Sequence, residues 1–362
     1  MSRIVCAMSG GVDSSVAAAL LVQQGHEVIG VTLRLWPERP DGSESGCCGL
    51  SAVEDARRVA SALGIRFHVK DEKALFEEQV VRPFVDEYGR GRTPNPCIRC
   101  NRYIKFASLL ELADQLGADA LATGHYARIG FDDARQRWTL SRGAARQKDQ
   151  TYALHTLTQY QLSRALFPLG NMEGKNEVRE LASSLGLRVA SKRDSQEICF
   201  VPDNDYRKFL SVYAPDMNRP GEIIDETGVV KGQHSGITYY TRGQRKGIGA
   251  QGPEPRYVVD LDGPRNRVVI GPDSSLWSRL FGIEDMNWVS YAGPEECPEP
   301  LTCKVRYNMT DKPCRLESHD GAMTGIFEEP QRAITPGQSA VFYAGDVVVG
   351  GGIVARNLPA EP

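Results

Sequence analysis

The run Ser9-Gly10-Gly11-Val12-Asp13-Ser14 has the features needed to hold an anion. Two glycines let backbone approach closely, Ser9, Ser14 and Ser15 carry hydroxyls, and a following helix start adds free amides and a positive dipole end. The Gly-Lys-Ser/Thr ending of a Walker loop is missing and the dinucleotide spacing is wrong. The loop therefore reads as a different phosphate cradle, in which Asp13 either orients magnesium or caps the helix. Cys97-Ile98-Arg99-Cys100 stands immediately before a predicted helix, behind Pro94 and Pro96. A thiol at a helix start beside Arg99 and Arg102 is biased towards thiolate. Zinc needs a second thiol pair, and adjacent Cys47 and Cys48 lack the usual spacing. A cysteine such as Cys199, in Asp194 to Phe200, is usually core when it stands alone. Together with the cradle, the thiol pair and Thr123-Gly124-His125-Tyr126 at a strand end, it fits sulfur transfer to an adenylated substrate. Cys6, Cys297, Cys303 and Cys314 read as packed bystanders.

Residues 3–8, 27–36, 65–69 and 118–123 read as strands, alternating with helices over 14–24, 51–64, 74–88 and 101–116. Ser51 and Glu54 form a capping box. Repeated βαβ units imply a doubly wound, mostly parallel Rossmann-like sheet, whose carboxyl edge would carry the cradle. From about Pro202 glycine and proline become denser and the apolar period shifts to two, as in residues 257–260, 267–270, 301–307 and 339–343. The chain thus divides into an α/β catalytic domain (1–203), a small central domain (204–274) and a C-terminal antiparallel β-barrel (275–362).

The 362 residues, 41% hydrophobic and 25% charged, exclude a disordered or collagenous chain and leave material for several cores. Apolar runs fall far short of the roughly 20 residues a membrane span needs, and the start lacks signal-peptide character, so the expected compartment is the cytoplasm. Nine cysteines, an odd number, argue against a disulfide framework. With a net charge of −3, a polyanion must be met by local patches. Arg90, Arg92, Arg99, Arg102 and Lys105 form one patch, and Arg242, Arg245 and Lys246 a second.

Seven landmarks in order, Ser9 to Ser15, Gly91 to Pro96 with Cys100-Asn101 and Ile104 to Phe106, Ala122 to Tyr126, Lys148 to Gln150, Ser195 to Phe200, Gly243 to Gly247 and Thr335 to Tyr343, resemble the tRNA-specific 2-thiouridylase family of ATP pyrophosphatases. The resemblance implies ATP and Mg2+ as cofactors and the wobble uridine of a tRNA anticodon loop as target. A cysteine desulfurase or sulfur relay protein would donate the sulfur. By position, Cys100 matches the catalytic cysteine and Cys199 the persulfide carrier, a pair able to form a disulfide after turnover. Ala7, Met8, Ser9, Gly10, Gly11, Val12, Asp13, Ser14, Leu33 and Gly124 match ATP-binding positions. Asn95, Pro96 and Cys97 match the segment beside the target base. His125, Lys148, Asp149, Gln150, Arg306, Tyr307 and Gln338 match tRNA-contacting positions. Where much of the family has an acid/base Asp, this chain has Cys97. That thiol either substitutes for the Asp or joins Cys100 and Cys199 as ligands of an iron-sulfur cluster with one open iron.

Overall fold

The computed structural model describes residues 1–36, 50–192, 198–201, 205–248 and 254–357. Cys47, Cys48 and residues Asp194 to Glu197 of the third motif lie outside them. The chain opens with β1 (Arg3–Ala7), α1 (Val12–Gln23), β2 (Glu27–Arg34), α2 (Leu50–Ala62) and β3 (Arg66–Asp71). β1 reads RIVCA, and its three central residues are fully enclosed. α1 presses Val12, Val16, Ala17 and Leu21 onto Ile4 and Cys6, each enclosed Val or Leu contributing about 1.5–3 kcal/mol. α2 already includes Leu50, so Ser51 sits inside its first turn and not before it.

The helix expected over residues 74–88 is a composite of α3 (Lys73–Phe76), a π-helical stretch Glu77–Val81 and α4 (Arg82–Gly89). The next helix begins earlier than its apolar pattern suggests. It runs through α5 (Pro96–Arg99), a second π-helical stretch Cys100–Ser108 and α6 (Leu109–Gln115). Asn95 caps it by accepting from Cys97 N at 3.1 Å, and Pro96, with φ preset for a first turn, starts it. Both thiols of the C-x-x-C are therefore inside the helix.

After β4 (Ala120–Ala122) the alternation breaks, because β5 (Ala127–Asp132) and β6 (Arg137–Arg142) form an antiparallel hairpin. α7 (Gln159–Arg164), β7 (Ala165–Leu166) and α8 (Lys175–Ser184) complete this part. The five-stranded parallel sheet has the order β3-β2-β1-β4-β7. Its direction of growth reverses between β1 and β4, the crevice where ligands of such sheets bind.

α9 (Tyr206–Tyr213) packs Phe209 and Leu210 against Phe76 and Phe84. A small sheet follows, formed by β8 (Gly221–Asp225), β9 (Val230–His234), β10 (Tyr257–Asp262) and β11 (Arg267–Gly271) in the order β10-β11-β8-β9. The last part comprises β12 (Trp277–Trp288), β13 (Leu301–Lys304), β14 (Lys312–His319), β15 (Ala322–Arg332), β16 (Ser339–Ala344) and β17 (Val347–Asn357). β12 pairs with both β15 and β17, which closes the six strands into a barrel. The strand expected over 301–307 stops at Lys304. Burial alternates as far as Val305, after which Arg306 and Tyr307 turn outward.

The hairpin β5–β6 leaves the parallel sheet and pairs with β17 at Val347↔Ser141. Leu140, Tyr152, Leu154 and Leu157 share one core with Val341, Tyr343 and Val348 of the barrel. Among the described residues no helix is long and apolar enough to cross a membrane.

Candidate active site

The glycine loop leaves β1 at the β1/β4 crevice. Gly10 has φ +69°, and a Cβ there would lie 2.2 Å from the Ala52 carbonyl oxygen, so only glycine lets the first turn of α2 press on the loop. Ser14 Oγ donates to Gly11 O (3.1 Å) and accepts from Ser9 N (3.1 Å), while Ser15 Oγ donates to Gly11 O (2.8 Å). The hydroxyls brace the loop itself, which leaves anion binding to the first-turn amides of α1 and its dipole. Gly11, the N-cap, has no side chain to compete for those amides. Across the crevice Gly124 abuts the loop, since a Cβ there would sit 2.8 Å from Asp13 C and Ser14 N. Leu33, near the end of β2, is half-buried between this sheet and an aromatic cluster.

Two lysines that no motif signalled complete the loop. Lys175 Nζ lies 2.7 Å from both carboxylate oxygens of Asp13, and Tyr126 Oη donates to Oδ1 at 2.8 Å. Lys192 Nζ donates to Gly10 O (3.0 Å) and pairs with Asp55 (2.6 Å). Both lie more than 130 residues from their partners in sequence, too far for any spacing rule to find. With an ammonium on both of its oxygens, Asp13 does not fit a direct magnesium ligand in this conformation.

Cys97 is exposed, Cys100 buried and Cys199 half-buried. Cys100 opens the second π-helical stretch, a departure from α geometry that is frequent at functional sites. Arg99 Nε donates to Gln79 O (2.6 Å) in the first π-helical stretch, and the guanidinium groups of Arg99 and Arg102 lie over the Tyr103 ring. The expected arginine bias on the thiols is thus partly directed to an aromatic face. Asn101 Nδ2 donates to Ala153 O (2.8 Å), tying the Cys100 turn to the segment that shares the barrel's core. Cys100 and Cys199 pack on one apolar cluster built around Phe84 and Phe200, to which Leu33 also contributes. The two cysteines and the end of β2 therefore meet there. Among the described residues no group of three or more His, Cys, Asp or Glu is arranged to hold a metal ion.

The positions matched to tRNA contacts fall into two groups. His125 and Gln150 sit beside the phosphate loop. His125 is buried between Phe106 and Phe167, with Nδ1 2.6 Å from Thr123 Oγ1. Burial first, then Lys105, push its pKa well down, so the ring is neutral. Gln150 Oε1 accepts from Tyr126 N (3.0 Å). The second group lines the seam between the α/β domain and the barrel. Asp149 accepts from Thr151 N and Oγ1, and Lys148 precedes it. Tyr307 is 40% exposed, edge-on to Tyr152 at 5.9 Å. Its hydroxyl pKa is raised by burial, then by Asp149 and Cys97, which brings this barrel residue within electrostatic reach of the C-x-x-C. Arg306 is exposed and donates to Arg332 O (2.9 Å). Gln338 Nε2 donates to Thr93 O (2.7 Å), two residues before Asn95.

Three family descriptions match the chain in succession: "tRNA methyl transferase HUP domain" over residues 2–203, "tRNA methyl transferase PRC-barrel domain" over 207–272 and "Aminomethyltransferase beta-barrel domain" over 278–354. The tRNA-specific 2-thiouridylase MnmA of Heliobacterium modesticaldum is 54% identical, covering 98% of this chain and 93% of the relative. The protein of the same name from Acetivibrio thermocellus is 49% identical over 97% of this chain and 99% of its own. That from Halothermothrix orenii is 48% identical over 99% and 100%. Identity near one half along almost the whole length, over the same three-part architecture, means that the chain belongs to the tRNA-specific 2-thiouridylase family.

Proposed function

We propose that this protein thiolates tRNA in the cytoplasm, replacing the 2-oxygen of the wobble uridine by sulfur at the expense of ATP. One observation carries the reading: β2 joins the two sites, since its Thr32 Oγ1 donates to Met8 O (2.6 Å) just before the phosphate loop and the next residue, Leu33, packs on the cluster shared by Cys100 and Cys199. ATP binds with its phosphates on the Ser9 to Ser15 amides and its adenosine against Leu33 and Gly124. The uridine leaves the anticodon stack, at a cost of a few kcal/mol that a single-stranded loop keeps low. Asn95, Pro96 and Cys97 border the base, and Lys148, Asp149, Arg306 and Tyr307 hold the surrounding RNA, with His125 and Gln150 at the inner end.

The uridine O2 attacks the α-phosphorus, forming a new P–O bond as the bond to the β-phosphate breaks and pyrophosphate leaves. Carbon 2 is now electrophilic, with AMP as leaving group. Cys199 carries a sulfane sulfur as persulfide, loaded by a desulfurase or relay protein. The Cys100 thiolate attacks Cys199 Sγ, a Cys100–Cys199 disulfide forms, and hydrosulfide is released with the electron pair of the broken S–S bond. Hydrosulfide adds to carbon 2, AMP departs with the original oxygen, and a dithiol reductant resets the disulfide. Cys97, at the position where much of the family has Asp, takes the proton from uridine N3.

The test is nucleoside mass spectrometry of tRNA incubated with protein, ATP and a persulfide donor, with pyrophosphate measured in parallel. The reading requires 2-thiouridine and pyrophosphate in equal amounts, both dependent on tRNA. Pyrophosphate release without any thionucleoside, in the presence of a competent donor, overturns it.

A further inference from the structure

The loop that delivers Cys97 takes its shape from the barrel. Thr93 N donates to Pro336 O (2.9 Å) and Thr93 O accepts from Gln338 Nε2 (2.7 Å), so one turn of the barrel satisfies both backbone groups of Thr93. That turn is itself fixed, because Gly337 N donates to Val354 O (2.9 Å) and Val354 N to Gln338 O (2.8 Å) on β17. Gly337 has φ +89°, and a Cβ there would lie 2.9 Å from Thr93 N and 3.0 Å from the Arg92 Cβ, so the two backbones are in direct contact. Arg92 adds an ion pair to Glu87 (2.7 Å) and another to Glu284 of β12. From the other side the β10–β11 turn closes in, where a Cβ on Gly263 would fall 2.4 Å from Arg90 C. Two residues beyond Thr93, Asn95 caps the helix that bears both thiols.

We propose that Gln338 is a positioning residue for the reaction. It sets the height of the Arg92 to Asn95 loop, and through the Asn95 cap the presentation of Cys97 and Cys100, so the barrel governs the thiols of another domain. Its amide nitrogen donates to Thr93 O, so it acts through the loop. This inference rests on Cys97 and Cys100 being the reacting end.

The experiment measures alkylation by iodoacetamide at Cys97 and Cys100, resolved by peptide mass spectrometry, in the full-length protein without tRNA. Because no thiolation is involved, failure here is distinguishable from failure of the proposed function. Gln338→Ala and Gln338→Glu, the latter keeping the volume but losing the donor, should each change the rate at one or both thiols at least threefold. Cys303, fully enclosed in the barrel, should stay protected and so reports an intact fold; if the alanine variant exposes it, the glutamate variant carries the test. In turnover, kcat should fall while KM for tRNA holds. Thiol rates that change less than threefold overturn the proposal, and a fall in tRNA affinity alongside them assigns Gln338 to RNA contact instead.

Discussion

The phosphate loop and the cysteine loop are built on opposite plans. The first is braced by its own serines, glycines and α1 within a few residues, with Lys175 and Lys192 added from outside. The second, from Arg90 to Cys97, is held by Glu87 behind it, Gly263 of the central sheet on one side and the Pro336 to Gln338 turn of the barrel on the other. Such a division suits a two-stage reaction. In the reaction proposed above, ATP would be handled by a self-contained loop and sulfur by an end shaped by the barrel and the central sheet.

The sharpest way to break the comparison is a pair of variants that separate the stages. Cys199→Ala should abolish 2-thiouridine formation while tRNA-dependent pyrophosphate release continues. Gly10→Ala, which drives a methyl group into Ala52 O, should lower pyrophosphate release about 100-fold, as expected for misplacing bound phosphates by the order of an ångström, with tRNA binding retained. Normal pyrophosphate release by Gly10→Ala, or thiolation by Cys199→Ala, would dissolve the distinction.

Acid should loosen the junction between the α/β domain and the barrel. His155 Nδ1 donates to Tyr152 O (2.8 Å), and the ring lies against Gly351 of β17, where a Cβ would approach it to 2.6 Å. Burial pushes its pKa down to about 4, against the Tyr152 hydrogen bond and with help from Arg102. The unfolded chain, titrating near 6.5, therefore binds more protons than the folded one below that pH. Stability is complete above about pH 6.5 and declines towards pH 4 by about 3 kcal/mol from this group alone. Neutral His125 adds in the same direction. Urea unfolding at pH 7 and pH 4.5 checks the slope, which His155→Gln should flatten; an unchanged slope would exonerate the seam histidine.

The smallest effect belongs to the rim of the seam. Lys148→Ala or Arg306→Ala should weaken tRNA binding by about 1 kcal/mol, and the slope of log affinity against log salt should shrink by about one unit per lost phosphate contact. A salt titration that leaves the slope intact removes those side chains from the RNA path.

The glycines, hydroxyls and following helix of the phosphate loop were legible because strand, loop and helix are consecutive, so local rules apply to it. The same holds for the alternating strands of the parallel sheet and for the C-x-x-C, although the helix begins at Pro96 and not at Asn101. Less was legible around Tyr307, where a period-two pattern reads as strand and the chain turns out towards the seam after Val305.

By itself, then, the sequence determined the three-part division, the anion-binding loop and the identity of the thiols, since each depends on residue type and near-neighbour spacing. Only the tertiary structure decided that Lys175 clasps Asp13, that the β5–β6 hairpin crosses over to β17, that Cys100 and Cys199 share a cluster and that Gln338 holds Thr93. Those contacts join residues up to 245 positions apart. A hydrogen bond at that separation leaves no periodicity in the chain, because both partners are chosen by where the packed domains bring them and not by what stands beside them.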